Sequence, residues 1–240
     1  MILSIIIPSY NSAHLLLNTL ESIRKQKCKR TDVEVIVVDG VSTDHTVDIV
    51  NKYGDIISDF ICEKDEGIYD AMNKGIDVAR GKFSYFIGAG DTLTDNILAE
   101  ILPLLTKYDG IVYGNVIRTK NNAIYDGEFS IIKLFRRNIC HQAIFYHTDI
   151  IKALKYNTKY KVLADYHLNI ILFSKFNISK RYINFNIAYY DDLAQGFSQN
   201  NSDDAFISDY YRIICENYSL KYKLVLFCIS IIRKIKKVIG

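Results

Sequence analysis

Several features that would assign a chain to a compartment or a cofactor are missing from this sequence of 240 residues. The cysteines are few, odd in number and widely spaced, and no C-x-x-C pair occurs among Cys28, Cys62, Cys140, Cys215 and Cys228. This pattern argues against a disulfide framework and a zinc knuckle, and it suits a reducing compartment. Residues 1–7 form a strand-like run without a basic leader or a cleavage signal, so we expect a cytoplasmic protein.

The loops that most often bind nucleotide phosphates are missing too. After the first predicted strand, residues 8–11 lack the glycines of a dinucleotide-binding fingerprint, and the sequence has no Walker loop. His45, His147 and His167 have no spacing that suggests a zinc site. Phosphates bound by this chain would therefore need a divalent cation, and Mg²⁺ or Mn²⁺ held by very few carboxylates together with the phosphates is a common arrangement.

What the sequence does contain is an alternation of strand patterns and helix patterns. With 49% hydrophobic residues, the chain can bury a sizeable core, either as one large domain or as a domain with an appendage. The alternation in the first half is typical of βαβ units and predicts an α/β fold with a mostly parallel sheet. We predict strands at 3–7, 33–38, 60–62 and 83–87 and a hairpin of residues 111–117 and 123–125. A first helix has Leu16, Leu20 and Ile23 on its inward side, and further helices are predicted at 43–53, 67–79 and about 95–107.

Two of the predicted strands end at a carboxylate. Residues 34–38 run into Asp39, and residues 83–87 lead to Asp91. Because open α/β sheets bind ligands beyond the carboxyl ends of their parallel strands, the two acids predict a nucleotide site at one sheet edge. Asp91 is the candidate metal ligand. Asp39 taken alone is equally well explained as a turn cap, a role that can coexist with ligand binding.

Four sequence motifs occur in a characteristic order: SIIIPSYN at 4–11, VVDGVSTD at 37–44, EKDEGIYDAMNKG at 63–75 and FIGAGD at 86–91. Together they resemble glycosyltransferase family 2, whose members have the GT-A fold, and the resemblance extends over roughly residues 2–200. It is strongest to enzymes that build bacterial surface polysaccharides. The resemblance implies transfer of a sugar from a nucleotide donor with Mg²⁺ or Mn²⁺ as cofactor. Glycines at 88 and 90 replace acids of the family's usual D-x-D motif, so we expect a weak, phosphate-dependent metal site at Asp91.

The resemblance also implies roles for single residues on the donor side. A carboxylate at position 39 suits uracil, because N3–H of that base donates a hydrogen bond. Asp70 and Lys74 are more simply explained as an exposed i,i+4 ion pair. The donor-binding residues implied by the resemblance are Pro8, Tyr10, Asp39, Asp65, Gly67 and Asn73.

On the acceptor side, ADYHL at 164–168 resembles the family's acidic motif, with Ala164 in place of its first acid. By that likeness Asp165 is the general base of a direct, inverting displacement. An N-cap of a helix at 166–173 is the alternative. The resemblance further favours contact with the acceptor or a phosphate for His141, Gln142, Gly196 and Ser198, although the residues alone would indicate a structural histidine and a simple turn.

The positive charge of the chain is concentrated at its end. Lys and Arg total 30 against 27 Asp and Glu, and residues 221–240 hold six of the basic residues and no acid. The apolar stretch at 224–232 is far shorter than the roughly 20 residues that span a bilayer. Its basic flanks predict a peripheral membrane anchor at 219–240. A C-terminal helix packed on the core is the alternative.

We therefore expect a GT-A domain at 1–218, with a nucleotide-sugar half at 1–118 and an acceptor half at 119–218, followed by the membrane-associating tail. Its substrates would be a UDP-sugar and a lipid-linked saccharide at the inner face of the cell membrane, with no nucleic acid involved. Two alternatives stay open: a membrane-associated nucleotide-sugar binding protein without catalysis, and a nucleotidyltransferase.

Overall fold

The computed structural model describes residues 1–125, 127–175, 177–192 and 201–226. The described strands form one sheet in the order β3-β2-β1-β4-β8-β6-β9-β5, with β7 paired to β6. The strands are β1 (Leu3–Ser9), β2 (Val33–Asp39), β3 (Asp59–Cys62), β4 (Phe83–Phe86), β5 (Thr92–Leu93), β6 (Ile111–Arg118), β7 (Ile124–Tyr125), β8 (Ile144–His147) and β9 (Lys180–Tyr190).

The α/β class is confirmed, and the sheet is mixed rather than purely parallel. Strands β1 to β4 pair in parallel, as the alternation of patterns predicts. Strand β8 is antiparallel to both of its neighbours, β4 and β6, whereas β6 and β9 are parallel. An apolar run indicates that a strand is buried and carries no information on its direction, so the second half could not be oriented from its pattern. The predicted hairpin is confirmed as β6 and β7.

Helices cover both faces of the sheet. They are α1 (Ala13–Arg24), α2 (Thr46–Lys52), α3 (Ile68–Val78), α4 (Ile97–Leu105), α5 (Ile131–Leu134), α6 (Thr148–Leu154), α7 (Ala164–Ser174) and α8 (Asp204–Asn217). Side chains alternate along β1, so Ile5 and Ile7 belong to the core cluster that includes α1, α2 and α4, while Ile6 belongs to the cluster that includes α3 and α5 to α8. Each fully buried isoleucine contributes roughly 1.5–3 kcal/mol.

Helix α3 lies unusually close to the sheet, because Gly75 faces Ile6. A side-chain Cβ at position 75 would lie only 2.5 Å from Cγ2 of Ile6. The missing side chain therefore lets the middle of α3 pack directly on β1. This contact fixes the helix whose first turn reaches the edge of the sheet where β1, β2 and β3 end.

At the amino-terminal end of β2, the sheet is held by a buried carboxylate, that of Glu34. Its Oε1 accepts hydrogen bonds from the Ser4 hydroxyl and from the backbone N–H of Arg80, both at 2.6 Å. Its Oε2 lies 2.6 Å from the Arg80 guanidinium. Since Glu34 has no exposed surface, these partners compensate for the loss of its hydration. Glu34 is therefore a structural acid, distant from the edge at which Asp39 ends the same strand.

The end of the described chain packs on the core and includes the first residues of the apolar stretch at 224–232. Residues 220–226 are helical. The Tyr222 ring lies 6.2 Å from the Phe135 ring, and Leu226 is buried, whereas Leu220 and Leu224 are exposed. None of the helices in the described residues combines the length and the apolar character needed to cross a bilayer.

Candidate functional site

The candidate site begins at the edge where β1, β2 and β3 end side by side. In the register of the parallel strands, Ser9 is the partner of Asp39, and Asp39 is the partner of Cys62. The loops that leave these strands carry Tyr10, the turn after Asp39, and Asp65. Because the three strands end in register, their loops emerge together and can form one binding surface.

Asp39 is fully buried and caps the turn that follows β2. Its Oδ2 accepts the backbone N–H of Ser42 at 2.7 Å, and its Oδ1 accepts the Ser42 hydroxyl at 2.5 Å. The Cys62 thiol lies 3.7 Å from Oδ2. Ionised carboxylate oxygens keep further lone pairs, so the cap does not exhaust the hydrogen-bonding capacity of Asp39.

The turn after Asp39 is strained at Val41. This β-branched residue has φ +64° and is 49% exposed. A left-handed backbone at such a residue costs of order 1–3 kcal/mol, and strain of this kind is concentrated at ligand clamps and switch regions. The strain is consistent with a turn that changes conformation when a ligand binds.

Tyr10 and Asp65 both lie close to Gly40. A Cβ at position 40 would lie 2.5 Å from Oδ2 of Asp65 and 3.3 Å from Cδ2 of Tyr10. The Tyr10 side chain is 63% exposed, and an exposed aromatic face can stack on a nucleotide base. The second oxygen of Asp65 accepts the backbone N–H of Gly67 at 2.9 Å. The structure thus brings together three of the predicted donor residues: Tyr10, Asp65 and Gly67.

Asn73 has a different environment from the other predicted donor residues. Its amide donates to the carbonyl of Tyr156 and accepts the N–H of Tyr156, both at 2.9 Å. These two bonds tie α3 to the segment before α7, so a donor contact by Asn73 would have to share them. The expected ion pair in α3 is confirmed, since Lys74 lies 3.5 Å from Asp70.

Asp91 lies in the loop after β4, almost fully buried. Its Oδ2 accepts the side-chain amide of Gln142 at 2.5 Å, and its Oδ1 accepts the backbone N–H of Asp191 at 2.9 Å. Burial raises the pKa of Asp91 to about 6, and the nearby Asp191 carboxylate adds to the rise, while the hydrogen bonds oppose it. Gly88 leaves room for this carboxylate, because a Cβ at position 88 would lie 3.1 Å from Oδ2 of Asp91.

A divalent cation fits at Asp91 only if a ligand supplies most of its coordination. The carboxylate retains lone pairs beyond its two hydrogen bonds, and Asp191 places a second negative charge nearby. Among the described residues, no three acidic, histidine or cysteine side chains are grouped to hold a metal ion. Mg²⁺ is commonly bound by one or two carboxylates together with substrate phosphates. Asp91 would hold such an ion, with Asp191 beside it.

Asp165 lies in the first turn of α7, in a fully hydrogen-bonded pocket. Its Oδ1 accepts the Tyr69 hydroxyl at 2.9 Å and the backbone N–H of Tyr166 at 2.8 Å. Its Oδ2 accepts the amide of Asn138 at 2.7 Å. Burial raises the pKa of Asp165 to about 6, although these hydrogen bonds lower it. The residue that precedes the helix is Leu163, so Asp165 is inside the first turn and is not the N-cap.

The dipeptide of His141 and Gln142 connects the two buried acids. Gln142 bonds to Asp91, and Nδ1 of His141 lies 3.9 Å from Oδ2 of Asp165. Nε2 of His141 is buried without a hydrogen-bond partner. Burial lowers the pKa of His141 to about 4, so the imidazole is neutral at physiological pH. The Cys140 thiol fixes the Gln142 amide by donating to its Oε1 at 2.8 Å.

Some of the residues in this site could not be identified from the sequence. Asn138 and Asp191 bond to the predicted acids, but nothing in the local sequence distinguishes them from surface polar residues. Tyr69 lies within the motif at 63–75, which was the only signal for its contact with Asp165. Gly196 and Ser198 lie outside the described residues, so their predicted contact with the acceptor or a phosphate stays a prediction.

Comparisons of sequence and structure relate this chain to known proteins. The sequence model of glycosyl transferase family 2 matches residues 4–175. A PGL/p-HBAD biosynthesis glycosyltransferase of Mycobacterium tuberculosis is 39% identical over 212 residues, which cover 85% of this chain and 82% of that protein.

The fold is similar to solved glycosyltransferase structures. Residues 1–349 of Staphylococcus aureus TarS, in complex with UDP-GlcNAc, superimpose with a TM-score of 0.78 at 18% identity, covering 94% of this chain and 70% of that one. This chain spans 41% of the longer TarS structure. The mannosyltransferase PcManGT from Pyrobaculum calidifontis, in complex with GDP-Man and Mn²⁺, superimposes with a TM-score of 0.70 at 18% identity, covering 94% of this chain and 68% of that one. These matches confirm the GT-A fold.

Proposed function

The chain belongs to glycosyl transferase family 2, and we propose that this glycosyltransferase moves a sugar from a UDP-sugar to a lipid-linked saccharide with inversion at the anomeric carbon. The acceptor would be a precursor of a bacterial surface polysaccharide. The UDP and UDP-GlcNAc complexes of TarS support a uridine nucleotide. The name of the mycobacterial relative places that protein in PGL/p-HBAD biosynthesis.

The observation that carries the proposal is the pocket of Asp165. A general base must be ionised at the working pH, held in one orientation, and able to accept a proton. Tyr69 and Asn138 orient the carboxylate, and the raised pKa of about 6 makes it a stronger base than an ordinary carboxylate while leaving it ionised at neutral pH. In the proposed reaction the acceptor hydroxyl gives its proton to Asp165. The hydroxyl oxygen bonds to the anomeric carbon, and the bond from that carbon to the diphosphate breaks.

The donor side would use the surface around Gly40. The Tyr10 ring would stack on the base, Asp39 would accept N3–H of uracil once its turn opens, and Asp65 would bind the sugar or ribose hydroxyls. The first turn of α3, with Gly67 at its N-cap, would lie next to the diphosphate. Pro8 shapes the end of β1 that leads into this surface, and Asn73 anchors α3 through Tyr156.

A divalent ion, Mg²⁺ or Mn²⁺, bound at Asp91 would neutralise charge on the departing diphosphate. Gln142 orients Asp91 through the hydrogen bond at 2.5 Å, and the neighbouring His141 lies 3.9 Å from Asp165. We propose that residues 1–118 bind the donor and that residues 119–218 bind the acceptor. Both halves contribute to the site, because Asp91 comes from the first and Asp165 from the second.

The residues after 218 would hold the enzyme at the inner face of the membrane. The basic residues of this tail and the absence of acids in its sequence support attraction to anionic lipid. Removal of residues 221–240 should abolish binding to anionic liposomes in a sedimentation assay. Unchanged binding would contradict the membrane proposal and would leave the proposed chemistry untouched.

The Asp165→Asn variant tests the chemistry. With a panel of nucleotide sugars, Mn²⁺ or Mg²⁺ and a lipid extract, the wild type should release UDP, and the variant should lose turnover while it keeps its UDP affinity. Wild-type kcat should fall as the pH drops through about 6, because protonated Asp165 cannot act as a base. No nucleotide release across the whole panel would instead favour a non-catalytic binding protein.

A further inference from the structure

We infer that residues 131–137, called the α5 segment below, form a second contact with an anionic lipid surface, next to the tail and to the catalytic base. The inference rests on the proposed membrane association and extends it to a part of the globular domain. The α5 segment has two faces. Leu134 and Phe135 are buried in the core, whereas Ile132 is 45% exposed and Arg136 and Arg137 are exposed.

The charge of this region matches that of the tail. Residues 129–148 contain no acidic residue and carry Lys133, Arg136 and Arg137. Residues 217–240 also contain no acid. An exposed isoleucine flanked by basic side chains is the composition of an interfacial element, whose apolar group enters the headgroup region while cations bind lipid phosphates.

The α5 segment and the start of the tail are held as neighbours by aromatic contacts. The Phe135 ring lies 4.9 Å from the Tyr218 ring and 6.2 Å from the Tyr222 ring. The Tyr210 hydroxyl of α8 donates to the carbonyl of Phe135 at 2.5 Å. Because the tail begins at residue 219, a membrane that binds the tail lies within reach of the α5 segment. This continuity favours a lipid surface over a protein partner as the occupant.

The position of the α5 segment also brings the membrane close to the chemistry. Asn138, the next residue in the chain, donates to Asp165, and the Tyr166 hydroxyl donates to the carbonyl of Leu134 at 2.5 Å. A saccharide attached to a lipid through a phosphate is confined near the bilayer surface. Contact at Arg136 and Arg137 would therefore present such an acceptor to Asp165.

A single tryptophan tests this contact directly, because the sequence contains none. In Ile132→Trp, addition of phosphatidylcholine vesicles containing phosphatidylglycerol should shift the emission to the blue, and brominated lipid should quench it. In the control Val78→Trp, at an exposed position at the end of α3, neither change should occur. If the vesicles sediment the Ile132→Trp protein but leave its emission spectrum unchanged, the inference is wrong.

A charge-matched pair of variants gives the second test. Arg136→Ala/Arg137→Ala should weaken partition into these vesicles about 30-fold, since each basic residue near an anionic surface contributes about a factor of five. Lys29→Ala/Arg30→Ala removes the same charge from the exposed loop that precedes β2. This control should change partition less than twofold. Equal effects of the two double variants would contradict a specific contact. Vesicles of phosphatidylcholine alone should bind none of the proteins.

The outcomes separate the inference from the proposal on which it rests. If the full chain fails to bind anionic vesicles, the membrane proposal fails and the inference fails with it. If the full chain binds and loss of residues 227–240 abolishes binding, while the α5 segment variants behave like their controls, only the inference is wrong. Retained UDP affinity in each variant shows that it is folded. If Arg136→Ala/Arg137→Ala is not folded, the tryptophan test alone decides whether the inference is correct.

Discussion

Asp165→Asn should stabilise the protein at neutral pH while it removes the proposed base. Burial raises the pKa of Asp165 from 3.8 to about 6, so the native state prefers the protonated form. One pKa unit corresponds to about 1.4 kcal/mol. Keeping Asp165 ionised above pH 6 therefore costs the native state about 3 kcal/mol relative to the unfolded chain.

The asparagine would remove this cost but disturb the surrounding hydrogen bonds. Its oxygen can still accept from Tyr69 and Tyr166, but its amide would face the amide of Asn138. The side-chain amide of Asn138 can exchange the positions of its oxygen and nitrogen if the amide of Asn169, which donates to it at 2.8 Å, does the same. We assign about 1 kcal/mol to this rearrangement. The expected net gain is about 2 kcal/mol near pH 7.5, or a rise of about 5 °C in Tm.

The sign of the effect should change with pH. Between about pH 4 and pH 6 the native state binds the proton of Asp165 and the unfolded chain does not, because the folded pKa is the higher one. The stability that this group contributes is therefore fully present below about pH 4 and is lost as the pH rises through 6. At about pH 4 the variant should be slightly less stable than the wild type, by about 1 kcal/mol.

Thermal unfolding of both proteins across this pH range measures the effect. Asp209→Asn is the control with the opposite sign, because Lys159, Arg212 and Tyr160 hold the pKa of Asp209 well below its usual range. That variant should lose stability at neutral pH and match the wild type only in acid. If Asp165→Asn parallels the wild type at every pH, burial does not raise the pKa of Asp165 and the reasoning is refuted.

Three further predictions concern the donor surface and the structural edge. Gly40→Ala should raise KM for the donor about tenfold with little change in kcat, because its methyl group would lie 2.5 Å from Oδ2 of Asp65. An unaltered KM in steady-state kinetics would contradict the assignment of the surface around Gly40 to the donor. UDP should slow alkylation of the exposed Cys62, because its thiol lies 3.7 Å from Asp39, the proposed contact of the uracil ring. Equal alkylation rates with and without UDP, measured by mass spectrometry, would show that the uracil ring binds elsewhere. Glu34→Gln should lower the free energy of unfolding by about 2 kcal/mol in urea titrations without altering UDP affinity, because it removes the charge of a buried carboxylate that pairs with Arg80 and accepts hydrogen bonds from Ser4 and the Arg80 backbone. Unaltered stability would show that Glu34 is not structural.

The first half of the fold could be predicted from the sequence because its signals are local. Buried strands, helix stripes and glycine at a helix end all act within a few residues, and Leu16, Leu20 and Ile23 are buried as the pattern indicates. The direction of β8 and the eleven residues of β9 could not be predicted in the same way. Their pairing with β4, β5 and β6 is decided by contacts distant in sequence.

The same distinction applies to the candidate site. Asp39 and Asp91 could be located because a carboxylate that ends an apolar strand is a local signal. The hydrogen bond from Asn138 to Asp165, and the one from Gln142 to Asp91, join segments 27 and 51 residues apart. Such bonds are specified by the packing of whole elements, and one sequence without relatives contains no periodicity that reveals them.

The first turn of α3 links the donor surface to the base. Its N-cap, Gly67, bonds to Asp65 beside the donor surface, and two residues later the Tyr69 hydroxyl bonds to Asp165. The middle of α3 cannot shift easily, because Gly75 packs directly on Ile6. A donor that displaces Asp65 would therefore move the first turn more than the rest of the helix. The Tyr69 hydroxyl, which orients Asp165, would move with that turn. The loop that carries Asp65 and the hydroxyl that orients Asp165 are therefore coupled through a single turn of α3.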